Sequence, residues 1–261
     1  QFINDFWFDY LKDKTDEKGK NLFNIKSYRA IIGYFFENYI EDIINFSYSK
    51  AKHDTVLMFD NLKTYFKNDL IEIADLYIRH NSKIILAQAK SSSIYDNEKY
   101  SGNIDGLYKN NRAEFYKVFG VNQIVNSIKV LNETMSNLDT KFPTNKSLNI
   151  YPTIIINEKA LQTPLMAVNF QKRFEELLKD FNSAKITIQP LTIIHISDLE
   201  NIQEYINENP KKIWDLLDHH SKNKDFMIPF FHTININLIR PNYKKVIPEF
   251  EKLIMKFNPD I

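Results

Sequence analysis

Between residues 28 and 46 the apolar residues Ile31, Ile32, Phe35, Phe36, Tyr39, Ile40, Ile43 and Ile44 recur at three-and-four spacing. A helix gathers such positions on one face, so this stretch predicts the clearest helix in the chain. After Asp54 the pattern shortens to β-branched and aromatic runs over 56–59, 71–78 and 83–89. Lys67-Asn68-Asp69 and His80-Asn81-Ser82 read as turns between them, and together they predict three strands in a meander. Residues 91–111 are polar, contain Gly102 and Gly106 and hold no period, which predicts a long loop of the kind that carries function. A helix is predicted over 114–131, with Phe115, Val118, Ile124, Ile128 and Leu131 as its buried stripe. Residues 150–156 are solidly apolar and read as a strand buried on both faces.

Further on, 170–181 predicts an amphipathic helix, and 186–196 a strand broken by Pro190. Ser197-Asp198-Leu199-Glu200 has capping-box spacing and predicts a helix start. Helices over 200–208 and 211–220, an aromatic stretch over 226–239 and a helix from Tyr243 to about 257 complete the chain. Ahead of all these stand an aromatic helix with Phe6, Trp7 and Tyr10 and a charged loop over 13–20. The order is α/β, with a central mixed sheet flanked by helices and a helical, aromatic C-terminal elaboration. No internal repeat or low-complexity segment is present. A domain over 1–222, with its core at about 28–157 completed by 158–222, is expected, and 223–261 either extends it or leads to another domain. The chain opens on Gln1 rather than Met, so a longer parent polypeptide is one expectation.

Charge and composition narrow the function classes. The 261 residues carry 34 Lys+Arg against 33 Asp+Glu, a net charge of +1, which argues against a binder that holds nucleic acid through bulk positive charge. It leaves a nuclease open, because a basic groove and acidic metal ligands cancel in the total. The arginines are Arg29, Arg79, Arg112, Arg173 and Arg240, so extensive bidentate reading of guanine is disfavoured. With no cysteine, disulfides, Cys-based zinc sites, iron–sulfur clusters and thiol nucleophiles are excluded. No run approaches the roughly 18–20 apolar residues of a membrane span, and no leader pattern opens the chain, so no membrane association and a cytoplasmic location are expected. The glycines Gly19, Gly33, Gly102, Gly106 and Gly120 form no phosphate-binding loop.

The group that carries chemistry is Asp75, Gln88 and Lys90. Side chains alternate along a strand, so Gln88 and Lys90 share one face and Ala87 and Ala89 the other. Asp75 stands among Ile71, Ile73 and Tyr77, an unusual place for a carboxylate unless it is paired or binds metal. Adjacent strands would bring the three together. A carboxylate and an amide carbonyl suit Mg²⁺ or Mn²⁺, and a lysine can orient or deprotonate a metal-bound water. Glu72 is placed on the opposite face by alternation.

Ile73-Ala74-Asp75-Leu76 followed by Gln88-Ala89-Lys90, with 12 residues between Asp75 and Gln88, resembles the PD-(D/E)XK nuclease superfamily, with its restriction-endonuclease-like fold. It looks most like the branch in which Gln replaces the second acid, as in Mrr-like restriction and defence nucleases. Gly33-Tyr34-Phe35-Phe36-Glu37 is similar to that family's Gly-x-x-Phe-Glu helix, and the likeness covers about residues 28–157. The departures are the absence of a proline before Asp75 and the amide at 88. The resemblance implies a DNA endonuclease of bacterial restriction or anti-phage defence. Asp75, the Gln88 side-chain carbonyl, the Ala89 backbone carbonyl and Glu37, directly or through water, would hold Mg²⁺, for which Mn²⁺ is expected to substitute. Lys90 would position the attacking water, making Glu37, Asp75, Gln88 and Lys90 the catalytic set. It also implies a homodimer or larger assembly, with a regulatory or sensor domain or subunit as a further partner.

Ser91, Lys99, Lys109 and Arg112, in or beside the long loop, are candidate phosphate contacts, and Gln123 is a candidate polar residue near the site. His195 reads as a satisfied core histidine, His219 and His220 as a helix-end pair, and the aromatics over 226–231 as core. Two alternatives belong to other classes: an inert nuclease-like module that binds nucleic acid or protein, and an unrelated α/β enzyme in which Asp75 and Lys90 form a structural ion pair. Pairing of Asp75 with Arg79 is a third, local alternative.

Overall fold

In the computed structural model, residues 10–66, 68–92, 94, 112–139, 141–142, 146–222, 228–237 and 239–240 are described, without the side chains of 112–114 and 135–137. Phe6 and Trp7 of the predicted N-terminal helix, the predicted helix at 243–257 and nearly all of the predicted loop at 91–111 lie outside the described residues.

Helix α1 (Ile25–Tyr48) starts at Asn24, whose side chain accepts the Lys26 N–H at 2.8 Å. Its apolar stripe is wider than the face it buries. Phe36, Ile40, Ile43 and Ile44 are in the core, while Ile31, Phe35 and Tyr39 are exposed. Three-and-four spacing gave all of them to one stripe, but the contact with the sheet and with the later helix Ile196–Glu208 takes the line through 36, 40, 43 and 44.

Strands β1 (Thr55–Met58), β4 (Leu76–His80) and β5 (Lys83–Lys90) form the expected antiparallel meander. Asn81, with φ 54°, makes the tight β4–β5 turn. A separate hairpin of β2 (Lys63–Phe66) and β3 (Asp69–Glu72) is inserted between β1 and β4. The strand expected over 71–78 is therefore broken at residues 73–75. The cause lies upstream: Phe59 takes a positive φ of 46° and opens a 3₁₀ turn (Phe59–Leu62), after which Ile73 N–H donates to Leu62 O at 2.9 Å. Leu62 is fully buried, so this turn is anchored in the core.

The helix expected over 114–131 is two helices, α2 (Arg112–Val118) and α3 (Val121–Leu138). Gly120, at φ 85°, sits between them and ends the first. Ile124, Ile128 and Leu131 are buried as expected, and Val118 is exposed. Strand β6 (Leu148–Ile156) runs parallel to β5, Lys83 opposite Asn149 through Lys90 opposite Ile156. Helix α4 (Pro164–Leu178) follows, capped by Thr163. As predicted around Pro190, β7 (Ile186–Ile188) and β8 (Thr192–His195) are separate, and both pair parallel to β6. Helix α5 (Ile196–Glu208) has a capping box, but its N-cap is His195 and its N3 is Asp198, two residues earlier than the Ser197-to-Glu200 spacing suggested. Helices α6 (Lys212–Lys222) and α7 (Phe230–Ile236) come last.

The chain is thus α/β, with a mixed central sheet flanked by helices, consistent with a restriction-endonuclease-like fold. Alternation along β5 decides what faces each layer. Ile84 and Leu86 pack with Ile124, Ile128 and Phe170 from α3 and α4. Ile85, Ala87 and Ala89 pack with Ile40, Ile44 and Ile202 from α1 and α5, and Phe230 of α7 is fully buried in the same layer.

His220 joins α6 to α7. Its ring lies 5.3 Å from that of Phe230 at 78°, and Nδ1 is 2.9 Å from Thr233 Oγ1. Burial, with a smaller contribution from His219, lowers its pKa from 6.5 to about 4. A depressed folded pKa means stability that is complete above the ordinary value and lost as pH falls through the folded one. Between pH 6.5 and 4 the wild type is expected to lose on the order of 3 kcal/mol through this residue. Urea melts across that range check it, and His220→Phe should flatten this part of the dependence.

Candidate active site

Asp75 lies in the connection from β3 to β4, yet three bonds fix it. Its N–H donates to Ala87 O at 3.0 Å, its carbonyl accepts Phe59 N–H at 2.9 Å, and its Oδ2 accepts the Ala89 N–H at 2.6 Å. Lys90 Nζ is 3.9 Å from the same Oδ2. Gln88 and Lys90 share a face of β5, as the alternation predicted, and Gln88 is only 4% exposed. Gln88 Nε2 is 3.4 Å from Ser127 Oγ, which itself meets the carbonyls of Ile73 and, at 2.8 Å, Gln123. A hydroxyl facing carbonyls gives its proton to one of them and so acts as an acceptor toward Gln88. The Gln88 amide nitrogen is thereby turned to Ser127, which leaves Oε1 as its available oxygen donor to a cation.

Glu37 of α1 is electrostatically in contact with this group. Burial first, then the Asp75 charge, raise its pKa, while Lys90 opposes them. Glu72 is raised by burial and then by Asp75. Asp75 is raised by burial despite Lys90, the Ala89 N–H and a hydrogen bond with Glu72. Burial is thus the largest cause for all three carboxyls, with the Asp75 charge adding to it at Glu37 and Glu72. Glu72 corrects the sequence reading. Because β3 ends at Glu72, alternation does not carry through to Asp75, and both residues line one cavity with Gln88 and Gln123.

The donor set fits a hard cation: a buried carboxylate, an amide oxygen and two further acids. Among the described residues, however, no group of three or more acidic or histidine side chains is arranged to hold a metal. Asp75 and the Gln88 carbonyl are the candidate direct ligands, and Glu37 is coupled to them through its interaction with the Asp75 and Lys90 charges. Ala89 contributes an observed N–H to Asp75, and its carbonyl as a ligand remains an expectation.

Gly120 and Ser127 were missed from sequence, and Glu72 was assigned to the opposite face. A Cβ at Gly120 would meet Lys90 Cε at 2.9 Å and Gln88 Cβ at 3.4 Å, so a larger residue would make the Lys90 side chain shift, and the φ of 85° favours glycine in any case. Gly120→Ala is expected to cost about 1–2 kcal/mol for the positive φ alone. The displaced lysine should also lower activity, and a thermal melt beside a cleavage assay checks both. Ser91 lies against α1, with its Oγ 3.7 Å from where a Gly33 Cβ would sit. Lys99, Lys109 and the Arg112 side chain lie outside the described residues. Arg79 pairs with Asp139, which removes the Asp75–Arg79 alternative. His195 is the satisfied histidine expected, its Nδ1 2.7 Å from Ser197 Oγ.

Fold and site together define an α/β chain with an acid, amide and lysine cluster at the C-terminal end of a central strand. No family model matches the chain, and no curated protein matches it. Among solved structures it is similar to the small subunit of a heterodimeric restriction endonuclease, at 9% identity and a TM-score of 0.32, over 92% of this chain and 97% of that one. Among the described residues no helix is long and apolar enough to cross a membrane.

Proposed function

We propose that the chain is a metal-dependent nuclease that hydrolyses phosphodiester bonds, a DNA endonuclease of bacterial restriction or anti-phage defence. The observation that supports it best is the clamp on Asp75, whose Oδ2 takes the Ala89 N–H at 2.6 Å and faces Lys90 at 3.9 Å, beside the buried Gln88. A bound Mg²⁺ would supply Lewis-acid polarisation of the phosphate and a more acidic water. Asp75 and the Gln88 carbonyl would hold it, and Ser127 would keep that amide in the required orientation. Lys90 would direct the attacking water and offset charge developing on the phosphate. Glu37 would assist the metal directly or through a water. The defence setting, homodimerisation and a sensor domain or subunit are part of this proposal and rest on the sequence resemblance.

One observation favours a second reading, an inert nuclease-like module: the second acid is an amide, and no described group of three acids is arranged around a metal. Plasmid and linear DNA incubated with Mg²⁺, Mn²⁺ or EDTA separate the two. The nuclease reading expects cutting with either metal and none with EDTA. Binding without cutting under every condition would establish the module instead.

A further inference from the structure

Between the β2–β3 hairpin and α3 lies an open cavity of about 580 Å³, and Asp75 and Gln88 form part of its lining. That volume is in the range that encloses one small organic group. In a stacked duplex the bases offer their edges only at the bottom of the grooves, so a whole base reaches such a cavity only after leaving its stack. Phe66, Ile73 and Val130 give it apolar surface, while Gln123, Asn126 and Glu72 bring amide and carboxylate groups. Gln123 and Asn126 are three apart on α3, so they share a helix face. Both are exposed, and among the described residues neither amide side chain has a protein partner. An amide presents a donor and an acceptor side by side, the complement of a base edge, and a carboxylate accepts from an exocyclic amino group. Whatever fills this cavity touches the residues assigned to cutting.

We propose that the cavity takes one unpaired nucleotide of the strand being cut, with the base between Phe66 and the α3 amides. The assignment rests on the nuclease reading for its position beside the scissile phosphate. It makes the substrate single-stranded, or a duplex from which a base can be extruded, because a paired base must first leave its stack.

The test is fluorescence anisotropy with a labelled single-stranded oligonucleotide and a blunt duplex of equal length, with Ca²⁺ in place of Mg²⁺. The wild type is expected to bind the single strand at least about tenfold more tightly than the duplex. Val130→Trp, which fills the cavity, should remove that preference at unchanged melting temperature. Asn126→Leu, at an exposed helix position, serves if the tryptophan variant folds poorly, and should weaken single-strand binding severalfold. Equal binding of the two DNAs by the wild type overturns the proposal. So does unchanged single-strand affinity in whichever variant is folded. The two readings fail separately. A wild type that shows this binding pattern but never cuts sinks the nuclease reading alone, whereas metal-dependent cutting of single strands that is indifferent to Val130→Trp sinks the cavity alone.

Discussion

Replacing Lys90 with alanine is expected to lower metal-dependent DNA cleavage roughly a thousandfold, in the range found when a group that positions or transfers a proton is removed. Among the described residues the Lys90 ammonium is the one cation that acts on both Asp75 and Glu37, and it is mostly buried, with a side-chain exposure of 17%. Without it the raised pKa values of these carboxyls should rise further, weakening metal binding as well as the chemical step. Lys90→Arg should not restore activity. A planar guanidinium is larger than an ammonium and spreads its charge differently, and the Gly120 corner leaves no room beside the stem. Both side chains of the pair are mostly buried, at 17% and 13% exposure, so truncating Lys90 also leaves Asp75 without its cation and some loss of stability is expected, which rates measured well below the melting temperature keep apart from the chemical effect. Initial rates on supercoiled plasmid, with melting temperatures alongside, check the prediction.

The largest expected loss of stability lies away from the site, at Asp139→Ala. Arg79 on β4 and Asp139 just after α3 pair through Nε, and through Nη2 at 3.2 Å, with side-chain exposures of 7% and 2%. Tyr77 Oη donates to the same carboxylate at 3.1 Å, and Thr55 Oγ1 accepts from Arg79 Nη2 at 2.8 Å. Removing the carboxylate leaves a buried guanidinium with only neutral acceptors, which costs about 3–5 kcal/mol. Replacing both ions with apolar residues of similar size, as in Arg79→Met with Asp139→Leu, should recover much of that loss. Urea denaturation of the single and double variants measures the difference.

The parts of this chain that local pattern governs were legible from sequence. The alternation on β5 placed Gln88 and Lys90 together, the unbroken apolar run of β6 marked a strand covered on both faces, and Pro190 marked the break between β7 and β8. What local pattern could not reach was set by contacts distant in sequence. The turn at Phe59 depends on Leu62 entering the core and on a bond to Asp75, so the insertion of the β2–β3 hairpin left no periodic trace. That insertion is why Glu72 shares a cavity with Asp75 instead of facing away. Gly120 read as a residue inside a helix because its role, making room for Lys90, arises only when α3 packs on β5. Asp139 stood 60 residues from Arg79, and nothing in spacing linked them.

The central claim, that Asp75 is the anchor of a metal-dependent cutting site, is tested most directly by comparing wild type and Asp75→Asn on supercoiled plasmid with Mg²⁺ and with EDTA, at matched melting temperature. The account predicts nicking or linearisation by the wild type in Mg²⁺ alone, and none by the variant. Equal cutting by both proteins, or cutting that persists in EDTA, would contradict it.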